Sequence, residues 1–133
     1  MNESTKKHCI LIVDDEISGI ITLTGILEPY YKILSLQDSQ EAVAVAEQKQ
    51  PDIILLDIFM PGIDGFEVIS RLKLNEKTKH IPVIIITGFD NRKAEENGLM
   101  LGAVDYIAKP FHPAIVKLRI ENQIKILDRK SDD

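Results

Sequence analysis

The feature that most constrains the fold is a set of short apolar runs, each closed by a polar residue. Ile53-Ile54-Leu55-Leu56 is followed at once by Asp57. An unbroken run of this length is what a strand shows when both of its faces are buried, as in a parallel sheet. Cys9-Ile10-Leu11-Ile12-Val13 ends in Asp14-Asp15-Glu16, and Val83-Ile84-Ile85-Ile86 ends in Thr87-Gly88. Val104 to Ala108 is shorter and runs into Lys109-Pro110, while Tyr31 to Leu36 is rich in strand formers but alternates less clearly.

The segments between these runs read as helices. Ile17, Ile20, Ile21, Thr24 and Leu27 fall on one face until Pro29 stops the pattern. Asp38-x-x-Glu41 and Asp64-x-x-Glu67 both have the form of a capping box. Ala42, Val45 and Ala46 supply the buried side after the first, and Phe66, Ile69 and Leu72 after the second. Met60-Pro61-Gly62 forces a turn just ahead of Asp64. Asp90 can cap a weaker helix reaching Leu101, with Gly98 inside it costing up to about 1 kcal/mol against Ala. Gly102 suits its stop. Pro113 suits the first turn of a last helix, whose apolar positions include Val116, Ile120, Ile124 and Leu127. Asp128 to Asp133 is expected to be a loose polar tail or the start of a linker. Five strands alternating with five helices give a (βα)5 pattern. That implies an α/β fold, a doubly wound parallel five-stranded sheet with right-handed crossovers.

The 133 residues suit a single domain, 1–133, with its core at about 8–127. A net charge of −5 argues against direct nucleic-acid binding. No apolar run approaches the roughly 20 residues of a membrane span. The opening MNESTKKH is too polar for a secretory signal, so a cytoplasmic location is expected. The lone Cys9 reads as a buried, inert thiol in a reducing compartment. His8, His80 and His112 have no metal-ligand spacing and read as surface or structural residues.

The carboxyl edge of an open parallel sheet is where ligands bind. This sheet gathers Asp14, Asp15, Asp57, Thr87 and Lys109 there, although they are far apart in the chain. Converging carboxylates repel one another unless a cation is shared. Oxygen-only ligands suit a hard divalent ion, Mg²⁺ above all. The Thr87 hydroxyl and Lys109 ammonium suit a tetrahedral oxyanion bound beside the metal. Asp57, at the centre, is then a nucleophile that accepts a phosphoryl group.

At this point the chain resembles the receiver domains of two-component response regulators, of the chemotaxis-regulator type. The resemblance runs from His8 to about Leu127 and rests on ILIVDDE, IILLDIFMPGIDGFE, VIIIITG and GAVDYIAKPF in that order. It implies a flavodoxin-like sheet of strand order 2-1-3-4-5. It implies that Asp15, Asp57 and the backbone carbonyl of Phe59 bind Mg²⁺ directly, with Asp14 acting through a metal-bound water. Thr87 would hydrogen-bond the phosphoryl oxygens, Lys109 would pair with them, and the Lys109–Pro110 bond would be cis. Tyr106 matches the switch aromatic, which turns inward as Thr87 moves toward the phosphate. Phe59 and Phe89 stand where the family's residues flank the water that removes the phosphoryl group. Two aromatic rings there imply slow self-dephosphorylation.

The phosphoryl donor would be a histidine kinase or a histidine phosphotransfer domain. An output domain or effector protein would read the switched surface. The face made by the fourth helix, fifth strand and fifth helix could also form a homodimer. No turnover of an external substrate is expected, so the chain is not read as an enzyme. Two rivals remain open. A haloacid-dehalogenase-like phosphatase also has an aspartyl nucleophile and Mg²⁺, but needs D-x-D where this chain has Asp14-Asp15-Glu16. A phosphate-independent, receiver-shaped interaction module usually lacks an acid or the lysine, and here all are present. Dinucleotide and P-loop motifs are absent.

Overall fold

The computed structural model describes residues 8–58 and 64–132. Five strands alternate with five helices: β1 Cys9–Val13, α1 Ile17–Leu27, β2 Lys32–Leu36, α2 Ala42–Lys49, β3 Ile53–Asp57, α3 Gly65–Leu74, β4 Val83–Thr87, α4 Arg92–Met100, β5 Asp105–Ala108 and α5 Pro113–Asp132. All strand pairs are parallel and the order is β2-β1-β3-β4-β5, as expected.

The apolar runs become the interior strands. Successive side chains of a strand point to opposite faces, so each run feeds two cores. Leu11, Val13, Ile54, Leu56, Val83 and Ile85 pack on one face with residues of α2, α3 and α4. Ile10, Ile12, Ile53, Leu55, Ile84 and Ile86 pack on the other with α1 and α5, through Leu23, Leu27, Val116 and Ile120. This explains why β3 and β4 are buried throughout while the edge strand β2 is not.

Several local expectations hold. Asp64 caps α3, its side chain accepting from Glu67 N at 2.9 Å. Gly102 follows α4 with φ +115°, a conformation that favours glycine. Gly98 sits in α4 because a Cβ there would collide with Ile85 Cδ1 of β4; the helix backbone lies directly on the sheet. Cys9 is half-buried rather than fully buried, and burial raises its thiol pKa, which lowers the thiolate fraction.

Others are corrected. Ile17 and Ile21 of α1 are 55% and 64% exposed, not buried. The buried stripe is Gly19, Ile20, Leu23 and Leu27. Ile21 lies about 100° round the helix from Ile20, and Ile17 sits in the first turn beside exposed Glu16 and Ser18. Asp90 does not cap α4; it takes φ +53°, and Asn91 caps instead, accepting from Ala94 N at 3.1 Å. Asp38 caps a single 3-10 turn at Ser39–Glu41, accepting from Gln40 N, before α2 begins. The polar tail expected from Asp128 onward is helical as far as Asp132. Ile124 and Leu127 continue the buried side of α5, and His8 Nε2 holds Asp128 Oδ1 at 3.0 Å. Among the described residues no helix is long and apolar enough to cross a membrane.

Candidate functional site at the carboxyl edge of the sheet

Four neighbouring strands deliver one or more polar residues each to the same edge. β1 ends at Val13, so Asp14 leaves the sheet fully buried, with Oδ1 accepting from Glu16 N at 3.0 Å. Asp15 follows, half-buried. Asp57 is the last residue of β3 and only 3% exposed. Thr87 ends β4 and is buried. Lys109 follows β5, and its backbone N–H donates to the Thr87 carbonyl at 2.9 Å, which extends the β4–β5 pairing to the edge itself. The Lys109–Pro110 bond is cis.

Asp14, Asp15, Glu16 and Asp57 each offer a carboxylate oxygen within 4.8 Å of the others. Lys109 Nζ stands against this group, 3.1 Å from Asp57 Oδ2, 3.5 Å from Glu16 Oε1 and 3.9 Å from Asp14 Oδ2. Asp14 Oδ2 is buried and, among the described residues, accepts no hydrogen bond. A Cβ on Gly19 would collide with it, so the glycine lets α1 close over this carboxylate. A buried lone pair among crowded acids, with hard oxygen donors only, fits a divalent cation of the Mg²⁺ type.

The charges leave their mark on the titration of the site. Burial, followed by the nearby Asp57 charge, pushes Asp14 up to about 6 against the lowering effects of the Glu16 amide and Lys109. Lys109 moves up as well: burial works against its charge, but the hydrogen bond to Asp57 and the charges of Asp57, Asp14 and Glu16 outweigh it. Thr87 Oγ1 is buried with no hydrogen-bond partner among the described residues. A hydroxyl in that condition is a donor in search of an acceptor.

The edge thus brings together Asp14, Asp15, Asp57, Thr87 and Lys109. Tyr106 lies half-buried on β5, paired in register with Ile85, while Thr87 pairs with Ala108. Thr87 and Tyr106 therefore share one face of adjacent strands, with only the small Ala108 beside the threonine. Phe89 is 81% exposed. Phe59, with its carbonyl and ring, lies outside the described residues. Glu16 is the member that sequence reasoning passed over. Its sequence signal is its place as the third consecutive acid after the first strand. A cleft of about 380 Å³, lined by Glu16, Ser18, Gly19, Thr22, Lys109, Pro110 and Phe111, opens beside the lysine.

Comparison with known proteins gives the family of the chain. The model of the response regulator receiver domain matches residues 10–121. Response regulator PleD of Caulobacter vibrioides is 40% identical over 114 residues, covering 85% of this chain and 25% of that protein. A Vibrio cholerae protein named probable cyclic di-GMP phosphodiesterase is 38% identical over 131 residues, covering 98% of this chain and 29% of its own length. The chain therefore spans under a third of these curated relatives. The chemotaxis response regulator CheY4 of Vibrio cholerae superposes with a TM-score of 0.80 at 26% identity, over 87% of this chain and 98% of that one. With the family match running from the first strand into the last helix, the chain belongs to the response regulator receiver domain family.

Proposed function

We propose that Asp57 is the residue on which this receiver domain takes up a phosphoryl group, delivered by a phosphohistidine of a partner kinase or phosphotransfer domain. The observation that carries the proposal is the pairing of buried Asp57 with Lys109 at 3.1 Å, inside a cluster of acids and beside the unpartnered Thr87 hydroxyl. In the transfer an Asp57 oxygen attacks phosphorus in line, the P–N bond to the donor imidazole breaks, and an acyl phosphate forms. Lys109 neutralises one phosphoryl oxygen and Thr87 Oγ1 donates to another.

Receiver domains bind Mg²⁺ at an acidic pocket, and the carboxylates here supply one. Asp15 and Asp57 would hold the ion directly, together with the Phe59 carbonyl, and Asp14 through a water. The ion supplies charge neutralisation for the transferring group. Hydrolysis of the acyl phosphate by water returns free Asp57 and inorganic phosphate, so the domain cycles without turning over an external substrate. Phe59 and Phe89 shield the phosphorus from that water.

Receiver domains interact with histidine kinases and output domains, and the relatives extend well beyond this chain. The phosphorylated form draws Thr87 and Lys109 toward the phosphate, and Tyr106 turns inward over Ala108. The α4–β5–α5 face is then read by an output domain, an effector or a second copy. Such a cycle operates in the cytoplasm, and residues 1–133 act as one receiver unit.

The test is incubation with acetyl phosphate and Mg²⁺, followed by intact-protein mass measurement. One phosphoryl group is expected on the parent and none on Asp57→Asn. Undiminished uptake by the variant refutes Asp57 as the acceptor.

A further inference from the structure

One side chain of α5 holds two residues of β5 that point to opposite faces of the sheet. Asp105 shares its face with Ile107, which packs beneath α5 among Ile84, Ile86, Val116 and Ile120. Tyr106, between them, points the other way and packs against the cluster that includes Ala94 and Ala103. β5 is an edge strand, so among the described residues no strand pairs with its outer side. Arg119 reaches round that open edge and meets both residues. Its Nη1 donates to Asp105 Oδ1 at 2.8 Å and to Oδ2 at 3.0 Å, and its Cζ lies 5.1 Å from the centre of the Tyr106 ring.

The anchor is itself fixed. Asp105 Oδ1 also accepts from the Tyr106 backbone N–H at 2.8 Å, so the carboxylate that orients the guanidinium is tied to the residue it positions. The flat guanidinium then covers the ring as a cation–π partner. The arrangement is also poised to open. Arg119 Nε is buried with no hydrogen-bond partner among the described residues, a condition that swinging out into water would relieve.

We infer that Arg119 is a positioning residue that grips the Tyr106 ring in its half-exposed setting and so biases the domain toward its unphosphorylated form. The inference rests on the Asp57 switch proposed above. A ring that turns over Ala108 toward Thr87 leaves the guanidinium behind, because Arg119 comes from the outer edge and Thr87 lies on the inner side of β5. Each phosphorylation therefore has to break this contact, and the grip sets how far the equilibrium leans before any phosphate arrives.

The chain has three tyrosines and no tryptophan, so Tyr30→Phe with Tyr31→Phe leaves Tyr106 as the only strong fluorophore. In that background the accessibility of the ring is read by acrylamide quenching, with and without Mg²⁺ plus beryllofluoride as the phosphoryl mimic. Quenching of the parent should fall when the mimic binds. Arg119→Ala should quench less than the parent before any mimic is added, and should need about threefold less beryllofluoride for half-conversion, the size of a solvent-facing cation–π contact. Arg119→Lys, which keeps a charge for Asp105 but loses the flat guanidinium, should fall between the two. Opposite behaviour overturns the inference: a ring that stays in place loses its cover in Arg119→Ala and quenches more. A value for Arg119→Lys equal to that of the parent also overturns it, because the ring contact then counts for nothing. If the parent does not respond to the mimic at all, the Asp57 reading fails, and the mimic-free comparison still decides whether Arg119 holds the ring.

Discussion

Lys109 Nζ sits 3.1 Å from Asp57 Oδ2, joining residues 52 positions apart across the top of the sheet. The ammonium serves Asp57, Glu16 and Asp14 together, so its removal does more than break one ion pair.

Lys109→Met should lower stability at pH 7 by about 1–3 kcal/mol, because two buried carboxylates lose their counter-charge. Since the folded lysine has a raised pKa, its contribution is fully present below the unfolded value of about 10.4 and is lost only as the pH rises through the folded one. The gap between parent and variant should therefore stay flat between pH 7 and 9 in urea denaturation. Coincident unfolding midpoints at pH 7 would contradict the account.

Asp14 behaves in the opposite sense. Its folded pKa of about 6 lies above the ordinary aspartate value of 3.8, so the folded state holds the proton more tightly. Stability of the metal-free protein should decline as the pH rises from about 4 to 6 on this group's account, and level off above. Asp14→Asn should remove the penalty and stabilise the metal-free fold at pH 7 by about 1–2 kcal/mol. In the parent, Mg²⁺ must displace the same proton, so affinity should weaken as the pH drops below about 6. Calorimetric titrations at pH 5.5 and 7.5 giving equal Mg²⁺ affinities would speak against it. Asp15→Asn should weaken Mg²⁺ binding more than Asp14→Asn does, because Asp14 is expected to act through water.

Gly98 and Ile85 form a steric pair. Gly98→Ala drives a methyl group into Ile85 Cδ1 and should cost about 1–3 kcal/mol. Ile85→Val removes that one carbon, and the double variant should recover much of the loss. A double-mutant cycle with no coupling would show that α4 has room to move away from β4.

Phe89 is exposed, so on the shielding role proposed above its ring would cover the acyl phosphate without giving up a buried position. Phe89→Lys, Phe59→Asn and the double variant should each shorten the lifetime of the phosphorylated protein, the double most of all. Decay no faster than that of the parent would remove the two rings from any shielding role.

How legible this was in the sequence depends on how strongly each element is determined. β1, β3 and β4 were plain because strands buried on both faces must be apolar throughout, and the polar residue ending each one marks the edge unmistakably. The gathering of Asp14, Asp57, Thr87 and Lys109 followed from that topology alone. α1 was harder: its apolar residues spread over more than half of the helix circumference, so periodicity did not exclude Ile17 and Ile21 from the buried face. The α4 cap was ambiguous between two adjacent capping residues, and it was Asp90 that took the left-handed turn while Asn91 capped. The Arg119 contact could not be read at all. Although the expected strand order already made β5 an edge, the contact depends on where the side chains of α5 land along it, a fact of assembly rather than of local pattern.

α5 has 20 residues and is about 30 Å long, against about 17 Å for a five-residue strand. It is fastened at two levels: near its start Arg119 is tied to Asp105, and near its end Asp128 is tied to His8, the residue just before β1. The helix is therefore tied to the edge strand β5 and to the entry of the interior strand β1. A residue that meets the edge strand and one that meets the start of β1 thus sit on a single continuous helix, so the two contacts cannot be rearranged independently without bending it.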